Sequence, residues 1–199
     1  KESLEISSKL RELEPFVPAY NLRHASILQT SGEIEASISV LEMIPPDSET
    51  AGRINRNVVL ARGYATLGRY TDAANALRAI RIGSEIERQT GAAAAQILEG
   101  APTKVDAPEK LPFLEAGTGF AYFHVGALDR ILEYPERLLD VGNLPAAEIE
   151  VLWRPELAPL RQTERFKACV RKAGLVDYWR ARGWPDLCRP SGEDDLFCA

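Results

Sequence analysis

The chain carries two histidines, His24 and His124, and neither lies in a catalytic or metal-binding spacing such as HExxH. His24 falls at an apolar position of a helical pattern, which predicts a packed or half-exposed core residue. His124 comes shortly before Gly126, where a cation would suit the C-terminal end of a helix. Because the two histidines are far apart in the sequence and neither lies in a metal-binding spacing, we expect both to have structural roles.

Sequence signatures of catalysis and cofactor binding are absent. The stretch "GTG" at 117–119 lacks the third glycine and the preceding strand of a dinucleotide-binding loop, and it indicates a helix break. No GxSxG, P-loop or CxxC motif occurs, and no spacing pairs carboxylates for acid–base chemistry. We therefore expect a non-catalytic protein that holds no cofactor and no metal ion.

The three cysteines fall into two groups. Cys169 lies three residues after Phe166 on one helical face, which predicts a small buried apolar residue. Cys188 and Cys198 flank a loop with proline and glycine, and closing it as a disulfide would stabilise the fold by roughly 3 kcal/mol. Such a disulfide would favour an oxidising compartment, whereas the alternative is two free thiols near a frayed terminus. Two cysteines without a nearby histidine do not complete a zinc site.

Composition limits the partners. The 199 residues are 45% hydrophobic and 27% charged, as in ordinary soluble proteins, and the net charge of −5 argues against direct contact with nucleic acid. A local cluster of Arg161, Arg165, Arg171 and Lys172 is more simply a solvated helix face. No stretch approaches the roughly 20 apolar residues that span a bilayer. The chain begins at Lys1 rather than methionine, so we expect a piece of a longer protein in which any membrane anchor lies elsewhere.

Apolar residues recur at helical spacing along most of the sequence. We therefore expect nine to eleven helices, with essentially no sheet, to position the residues named above. Proline and glycine punctuate the pattern, and the proline-rich stretch 99–112 is the predicted linker. Aligning 31–46 with 67–82 places Gly32 over Gly68 and Leu41 over Leu77, which gives a period of 36 residues. Each copy predicts a helix that ends at a glycine and a second helix that packs back on it.

The second copy resembles the tetratricopeptide repeat family. Residues 57–80 carry the family's spacing of aliphatic, small and aromatic positions, with Asn57 where the family has a tryptophan-type residue. A first copy spans 19–46, and a third spans 120–138, with Gly126 at its turn and Pro135 expected to interrupt its second helix. The matching residues of the second copy are Leu60, Ala61, Tyr64, Leu67, Gly68, Tyr70, Ala73 and Leu77.

This resemblance implies an all-α fold, a right-handed α-solenoid of helical hairpins. Residues 1–100 would form the hairpins, and residues 101–199 would form degenerate repeats and a C-terminal capping segment, packed as one continuous superhelix. The groove of the family is lined by first-helix positions that point inward, and Arg62 could bind a carboxylate or a backbone carbonyl there, although simple solvation of these polar residues is the alternative. The corresponding residues are Asn55, Val58, Arg62, Ala65 and Thr66 in one copy and Ala19, Leu22, Ser26, Gln29 and Thr30 in the other.

The segment 152–188 contains a series of short motifs: Trp153-x-Pro155, Leu160-Arg161, Arg165-Phe166, Gly174-Leu175, Tyr178-Trp179 and Pro185-Asp186-x-Cys188. With these motifs the segment is similar to the closing segment of bacterial regulators with tetratricopeptide-type sensor domains, such as membrane-anchored winged-helix transcription regulators and class III nucleotide cyclases. The resemblance implies a regulatory domain whose effector module is not in this chain. Its aromatic residues would cap the open end of the superhelix, although a ligand-stacking box is the alternative. They are Trp153, Phe166, Tyr178, Trp179 and Trp184.

Two functions from different classes follow. The first is a protein-interaction domain of a bacterial signalling or transcription-regulatory protein that binds a peptide or protein in the concave groove. The second is a small-molecule sensor with an enclosed pocket around 113–140, where "FLEAGTGFAYFHVG" supplies aromatics and glycines. Homo-oligomerisation through an apolar end face is a third possibility. We expect a periplasmic domain of an inner-membrane protein, with a cytoplasmic location as the alternative.

Overall fold

The structure, a computed structural model, describes residues 2–46, 56–81, 83–115, 117–143, 151–192 and 195–199. The chain divides into two compact units, Lys1–Ala127 and Leu128–Ala199. The stretch 99–112 lies within the first unit, so the observed division falls after the predicted linker.

The secondary-structure elements described in the first unit are all α-helices or 3₁₀ turns. Its elements are α1 Glu2–Leu13, α2 Pro18–Thr30, α3 Ile34–Glu42, α4 Arg56–Thr66, α5 Tyr70–Arg78, α6 Glu85–Glu99, two 3₁₀ turns at Pro108–Lys110 and Thr118–Phe120, and α7 Ala121–His124.

The second unit consists of shorter helices and a small β-hairpin. Its elements are the 3₁₀ turn Leu128–Leu132, α8 Glu133–Asp140, 3₁₀ turns Val151–Trp153 and Pro155–Leu157, α9 Ala158–Arg161, α10 Glu164–Lys172, α11 Leu175–Arg182, β1 Cys188–Ser191 and β2 Asp195–Cys198. The described part of the chain is thus mostly helical, as predicted. The antiparallel pair β1–β2 corrects the expectation of essentially no sheet.

Consecutive helices from α1 to α6 pack against one another in chain order. The turns between α2 and α3 and between α4 and α5 have the same geometry, because Gly32 and Gly68 take left-handed conformations, with φ of 86° and 73°. After each glycine, one amide donates back to the carbonyl five residues earlier, Glu33 to Leu28 and Arg69 to Tyr64, both at 2.9 Å. The predicted helical hairpins therefore exist at the predicted spacing.

The same turn recurs at Gly126, where φ is 73° and the amide of Ala127 donates to the carbonyl of Tyr122 at 2.9 Å. The turn of the predicted third copy is therefore present, although the α-helix before it, α7, is only four residues long. Pro135 is buried in α8 without interrupting it. This corrects the prediction for Pro135, since a proline in the first turn of a helix removes no internal hydrogen bond.

Small side chains lie where helices of the first unit cross. Ala25, Ala61 and Ala73 are fully buried, and the large residues Leu41 and Leu77 fill the space beside them. Gly91 of α6 also lies close to the end of α5 and the chain after it, because a Cβ built on Gly91 would lie 2.8 Å from Ile80 Cδ1 and 3.4 Å from the Leu77 carbonyl oxygen. The aligned positions of the two copies thus have matched packing roles, which supports the 36-residue period.

Among the described residues, no helix has the length and apolar character that crossing a membrane requires.

Candidate functional site

The residues predicted to line a concave groove are mostly interior in the first unit. Leu22, Ser26, Gln29, Val58 and Arg62 are all buried. Of the other predicted positions, Ala65 is buried, Ala19 is half-buried, and Thr30 and Thr66 are exposed, whereas Asn55 lies outside the described residues. The five buried side chains are inaccessible to a peptide, which corrects the expectation of an open groove at these positions.

Gln29 and Arg62 form a buried polar bridge between the two hairpins. The Gln29 amide nitrogen donates to the Val59 carbonyl at 2.8 Å, and its Oε1 accepts from Arg62 Nε at 2.8 Å. A Cβ built on Gly63 would come within 2.9 Å of that amide nitrogen, so the glycine leaves the space through which Gln29 reaches α4. Both side chains therefore hold α2 to α4.

Part of the face of α4 is covered by the chain segment 113–127, which folds back onto α4 and α6. The amide of Glu115 donates to Thr90 Oγ1 at 3.0 Å, and the hydroxyl groups of Thr90 and Thr118 lie 3.0 Å apart in the interior. A Cβ built on Gly117 would lie 3.7 Å from Val58 Cγ1. This segment occupies space in which a groove at α4 was expected.

Tyr122 anchors the same segment from α7. Its side chain is 1% exposed, and its hydroxyl donates to the Pro112 carbonyl at 2.5 Å and accepts from the Leu114 amide at 3.0 Å. Gly117, at the start of the "GTG" stretch, has φ of 80° and precedes a 3₁₀ turn. The described residues before it, 111–115, form no helix, so the stretch begins a helical turn and does not break a helix, which corrects the expectation of a helix break there.

His24 belongs to the interior of the first unit, as predicted. Its Nδ1 lies 2.8 Å from the hydroxyl oxygen of Ser7, which also lies 3.0 Å from the Leu4 carbonyl. Burial lowers the pKa of His24, and the positive charge of Arg11 lowers this pKa further. The pair holds α1 on α2. Among the described residues no group of three histidine, cysteine, aspartate or glutamate side chains could hold a metal ion.

His124 is the last residue of α7, at the helix end where it was expected. Its ring makes edge contacts with the rings of Tyr70, Phe120 and Phe123, with centroids 5.2 to 6.3 Å away. These aromatic contacts give it a packing role.

The outer face of α1 and the loop after it expose large apolar side chains. Ile6 is 61% exposed, Leu13 71% and Phe16 94%, and Leu10 lies between them on the same side of the helix. The sequence interpretation missed this surface, although the spacing of positions 6, 10 and 13 is the signal of one helical face. We call these four residues the α1 stripe.

A mainly apolar cleft of about 350 Å³ lies beside α6 in the first unit. The pocket expected around 113–140 shares only Val125 with it, so the cleft lies mainly upstream of the predicted region. Its walls come from the end of α6 and from the chain between α6 and α7. They are Gln96, Ile97, Gly100, Thr103, Lys104, Val105, Leu111, Pro112 and Val125.

Four of the five predicted capping aromatics form one cluster in the second unit. Trp153 makes edge contacts with Phe166 and Trp179, with ring centroids 5.7 and 5.8 Å apart, and Trp179 contacts Trp184 at 5.6 Å. Phe166 is fully buried, whereas Tyr178 is 61% exposed and joins none of these contacts. Tyr178 is thus a surface residue, whereas the other four pack against one another, with Phe166 and Trp179 buried and Trp153 and Trp184 half-buried.

The disulfide between Cys188 and Cys198 is present, with the two sulfur atoms 2.00 Å apart. The cysteines are also paired in register across β1 and β2, so the hairpin itself brings them together. Cys169 is a free, buried thiol, as predicted, and burial, followed by the charge of Glu136, raises its pKa to about 11. Asp195 of β2 accepts from Lys167 and Arg171, which ties the hairpin to α10.

Thiol counting tests this arrangement. We expect unreduced protein, unfolded in denaturant, to expose one reactive thiol, that of Cys169, and to expose three after reduction. Mass spectrometry after alkylation measures the number of labelled cysteines. Three labels without reduction would contradict the disulfide, and a Cys169→Ala variant serves as the control that should give none.

The chain matches no protein-family model, no curated protein and no solved structure. The functional interpretation therefore rests on the geometry.

Proposed function

We propose that this chain is a non-catalytic protein-interaction domain of the tetratricopeptide-repeat type, within a larger bacterial signalling or transcription-regulatory protein. Its partner is an amphipathic helix with basic residues beside its apolar face, and the partner docks on the α1 stripe. The consecutive hairpins with their glycine turns support the repeat assignment. The exposed apolar face of α1 supports the docking site.

The exposure of the α1 stripe is the observation that carries the proposal. In helical repeat proteins each helix buries apolar faces against its neighbours, so an apolar face left open marks a position where another helix fits. Three of the four side chains lie at spacings of four and three residues, which is the spacing that a helix laid along α1 would contact. Exposed aromatic and aliphatic side chains grouped in this way mark interaction surfaces.

The charged residues beside the α1 stripe indicate which charge the partner helix should carry. Four exposed glutamates, Glu2, Glu5, Glu12 and Glu14, stand on α1 and just after it, against one exposed lysine, Lys9. Complementary charges speed encounter and fix the register of a complex. A partner helix with lysine or arginine beside its apolar face therefore fits better than an acidic one.

The disulfide supports an oxidising location, and we propose a periplasmic domain of an inner-membrane protein. Contact with the membrane would then run only through an anchor elsewhere in the parent protein. The acidic balance of the chain supports a protein partner over direct contact with nucleic acid. A cytoplasmic location is the alternative.

The test uses a synthetic amphipathic helix built of leucine and lysine as the probe. We expect the protein to bind this peptide with a micromolar dissociation constant. The double variant Ile6→Glu, Leu13→Glu should bind it at least about tenfold more weakly. Fluorescence anisotropy of a labelled peptide measures the affinity. Binding should also weaken as salt is raised, because the flanking charges are exposed.

Met43→Glu is the matched control, because Met43 is 76% exposed but lies at the end of α3, outside the stripe. Equal binding by the stripe variant and this control would contradict the proposal, as would no binding at all. A concentration-dependent mass that the stripe variant abolishes, without peptide binding, would assign the surface to a second copy of the chain instead.

A further inference from the structure

We propose that the cleft beside α6 binds a small amphipathic carboxylate, with its apolar body against the cleft wall and its carboxylate at Lys104. This site is separate from the α1 stripe, and it assigns a ligand class that the interaction function does not require. A ligand in this cleft would give the chain the small-molecule sensor role considered from the sequence, but beside α6 rather than in the region 113–140.

The size and lining of the cleft set the body of the ligand. A volume of about 350 Å³ lies at the small end of the range that ligand pockets span. Ile97, Val105, Leu111 and Val125 supply aliphatic side chains from three separate segments of the chain. A flexible or compact hydrocarbon group fits such a wall, whereas a sugar or nucleotide would leave its many polar groups without partners.

Lys104 sets the charge of the ligand. It is the one charged residue among those that line the cleft, and no carboxylate joins it there. Its stem lies against the Gly126 turn, because a Cβ built on Gly126 would come within 3.0 Å of Lys104 Cγ. Within the described residues its ammonium makes no ion pair or hydrogen bond, so an incoming anion would not displace a partner.

The end of α6 forms one wall of the cleft. Two of its last four carbonyls accept hydrogen bonds, because the amide of Gly100 donates to the carbonyl of Ile97 and the amide of Ala101 donates to that of Leu98, both at 3.1 Å. The amide of Thr103 donates to Gly100 in the same way. The polar side chains that remain at the cleft are Gln96 and Thr103, and both can donate to a carboxylate.

Main-chain pairing holds the far wall in place. The amide of Val105 donates to the carbonyl of Val125 at 3.1 Å, which joins the chain after α6 to the end of α7. Tyr122 fixes Pro112, another wall residue, through its hydroxyl. The walls are therefore formed before a ligand arrives, which keeps the entropic cost of binding low.

Octanoate is the probe, and 1-octanol is its neutral counterpart with the same chain. We expect saturable binding of octanoate with a dissociation constant on the order of 1 mM or tighter. Nitrogen-15 NMR titration should shift the amide signals of Val105 and Val125. Octanol should shift the same signals but bind about fivefold more weakly, because it lacks the charge.

Variants of Lys104 separate charge from shape. Lys104→Met keeps the stem against Gly126 and should lower octanoate affinity about fivefold without changing octanol binding, while Lys104→Arg should retain octanoate binding. Lys110→Met, six residues on and outside the cleft lining, is the control and should behave as the wild type.

Absence of saturable binding by either probe would overturn the proposal, as would equal affinities for octanoate and octanol. An equal loss in Lys104→Met and Lys110→Met would show a general charge effect and would also overturn it. None of these outcomes bears on the α1 stripe, which is tested with the helical peptide.

Discussion

Replacing Arg161 with methionine is expected to lower the free energy of unfolding of the second unit by about 3–5 kcal/mol. Arg161 is 2% exposed, and its guanidinium donates to the carbonyls of Leu152, Arg154 and Ala199. Methionine keeps much of the apolar stem but leaves all three carbonyls without this donor in the interior. The residue therefore joins the chain at Leu152 and Arg154 to the residue that follows β2, and its loss should release both segments.

Tryptophan fluorescence during urea unfolding measures this effect in the second unit, because all three tryptophans, Trp153, Trp179 and Trp184, lie there. Lys172→Met is the matched control. Lys172 pairs with Asp140 at the surface, where both side chains are more than half exposed, so its replacement should cost less than about 1 kcal/mol. Similar losses in both variants would contradict the interior role of Arg161.

Arg161 also shows a limit of the sequence interpretation. Together with Arg165, Arg171 and Lys172 it was expected on a solvated helix face, and the other three do lie at least partly exposed. A count of charges along a helix does not distinguish a solvated arginine from one whose partners are main-chain carbonyls outside its own helix. Burial lowers the pKa of Arg161, yet a guanidinium keeps its proton at such a site, so the charge stays.

The local features of the fold were predictable because each depends on neighbouring residues. Glycines at helix ends predict left-handed turns, and Gly32, Gly68 and Gly126 all have them. The disulfide was also predictable, since the loop between Cys188 and Cys198 contains turn residues that let a hairpin close. Both predictions rest on chain segments shorter than one repeat.

The candidate groove was not predictable from the same reasoning. Whether a first-helix residue faces a ligand or the interior depends on what packs over it, and here the segment 113–127 returns to α4 and α6. That contact joins Thr90 to Thr118 and Glu115, positions that no periodicity relates. Resemblance to a repeat family supplies the usual direction of these side chains, but not the later part of the chain that covers them.

Gln29→Leu is expected to destabilise the first unit by about 2–4 kcal/mol. This variant tests whether the Gln29 side chain is part of the interior or faces a ligand-binding groove. Leucine fills a similar volume but removes both bonds of the amide, so the buried Arg62 loses the acceptor at its Nε and the link from α2 to α4 is broken. Hydrogen exchange of the amides in α2 and α4 measures the change, since the tryptophans report only on the other unit.

Thr30→Ala is the matched control, because Thr30 belongs to the same predicted set but is exposed and bonds only to carbonyls of its own helix. It should change stability by less than about 0.5 kcal/mol. Gly63→Val should reproduce the effect of Gln29→Leu from the other side, because a side chain at Gly63 would meet the Gln29 amide. If Gln29→Leu leaves the protection of α2 and α4 unchanged, the amide is not a structural bridge, and the original expectation that it faces a ligand regains its standing.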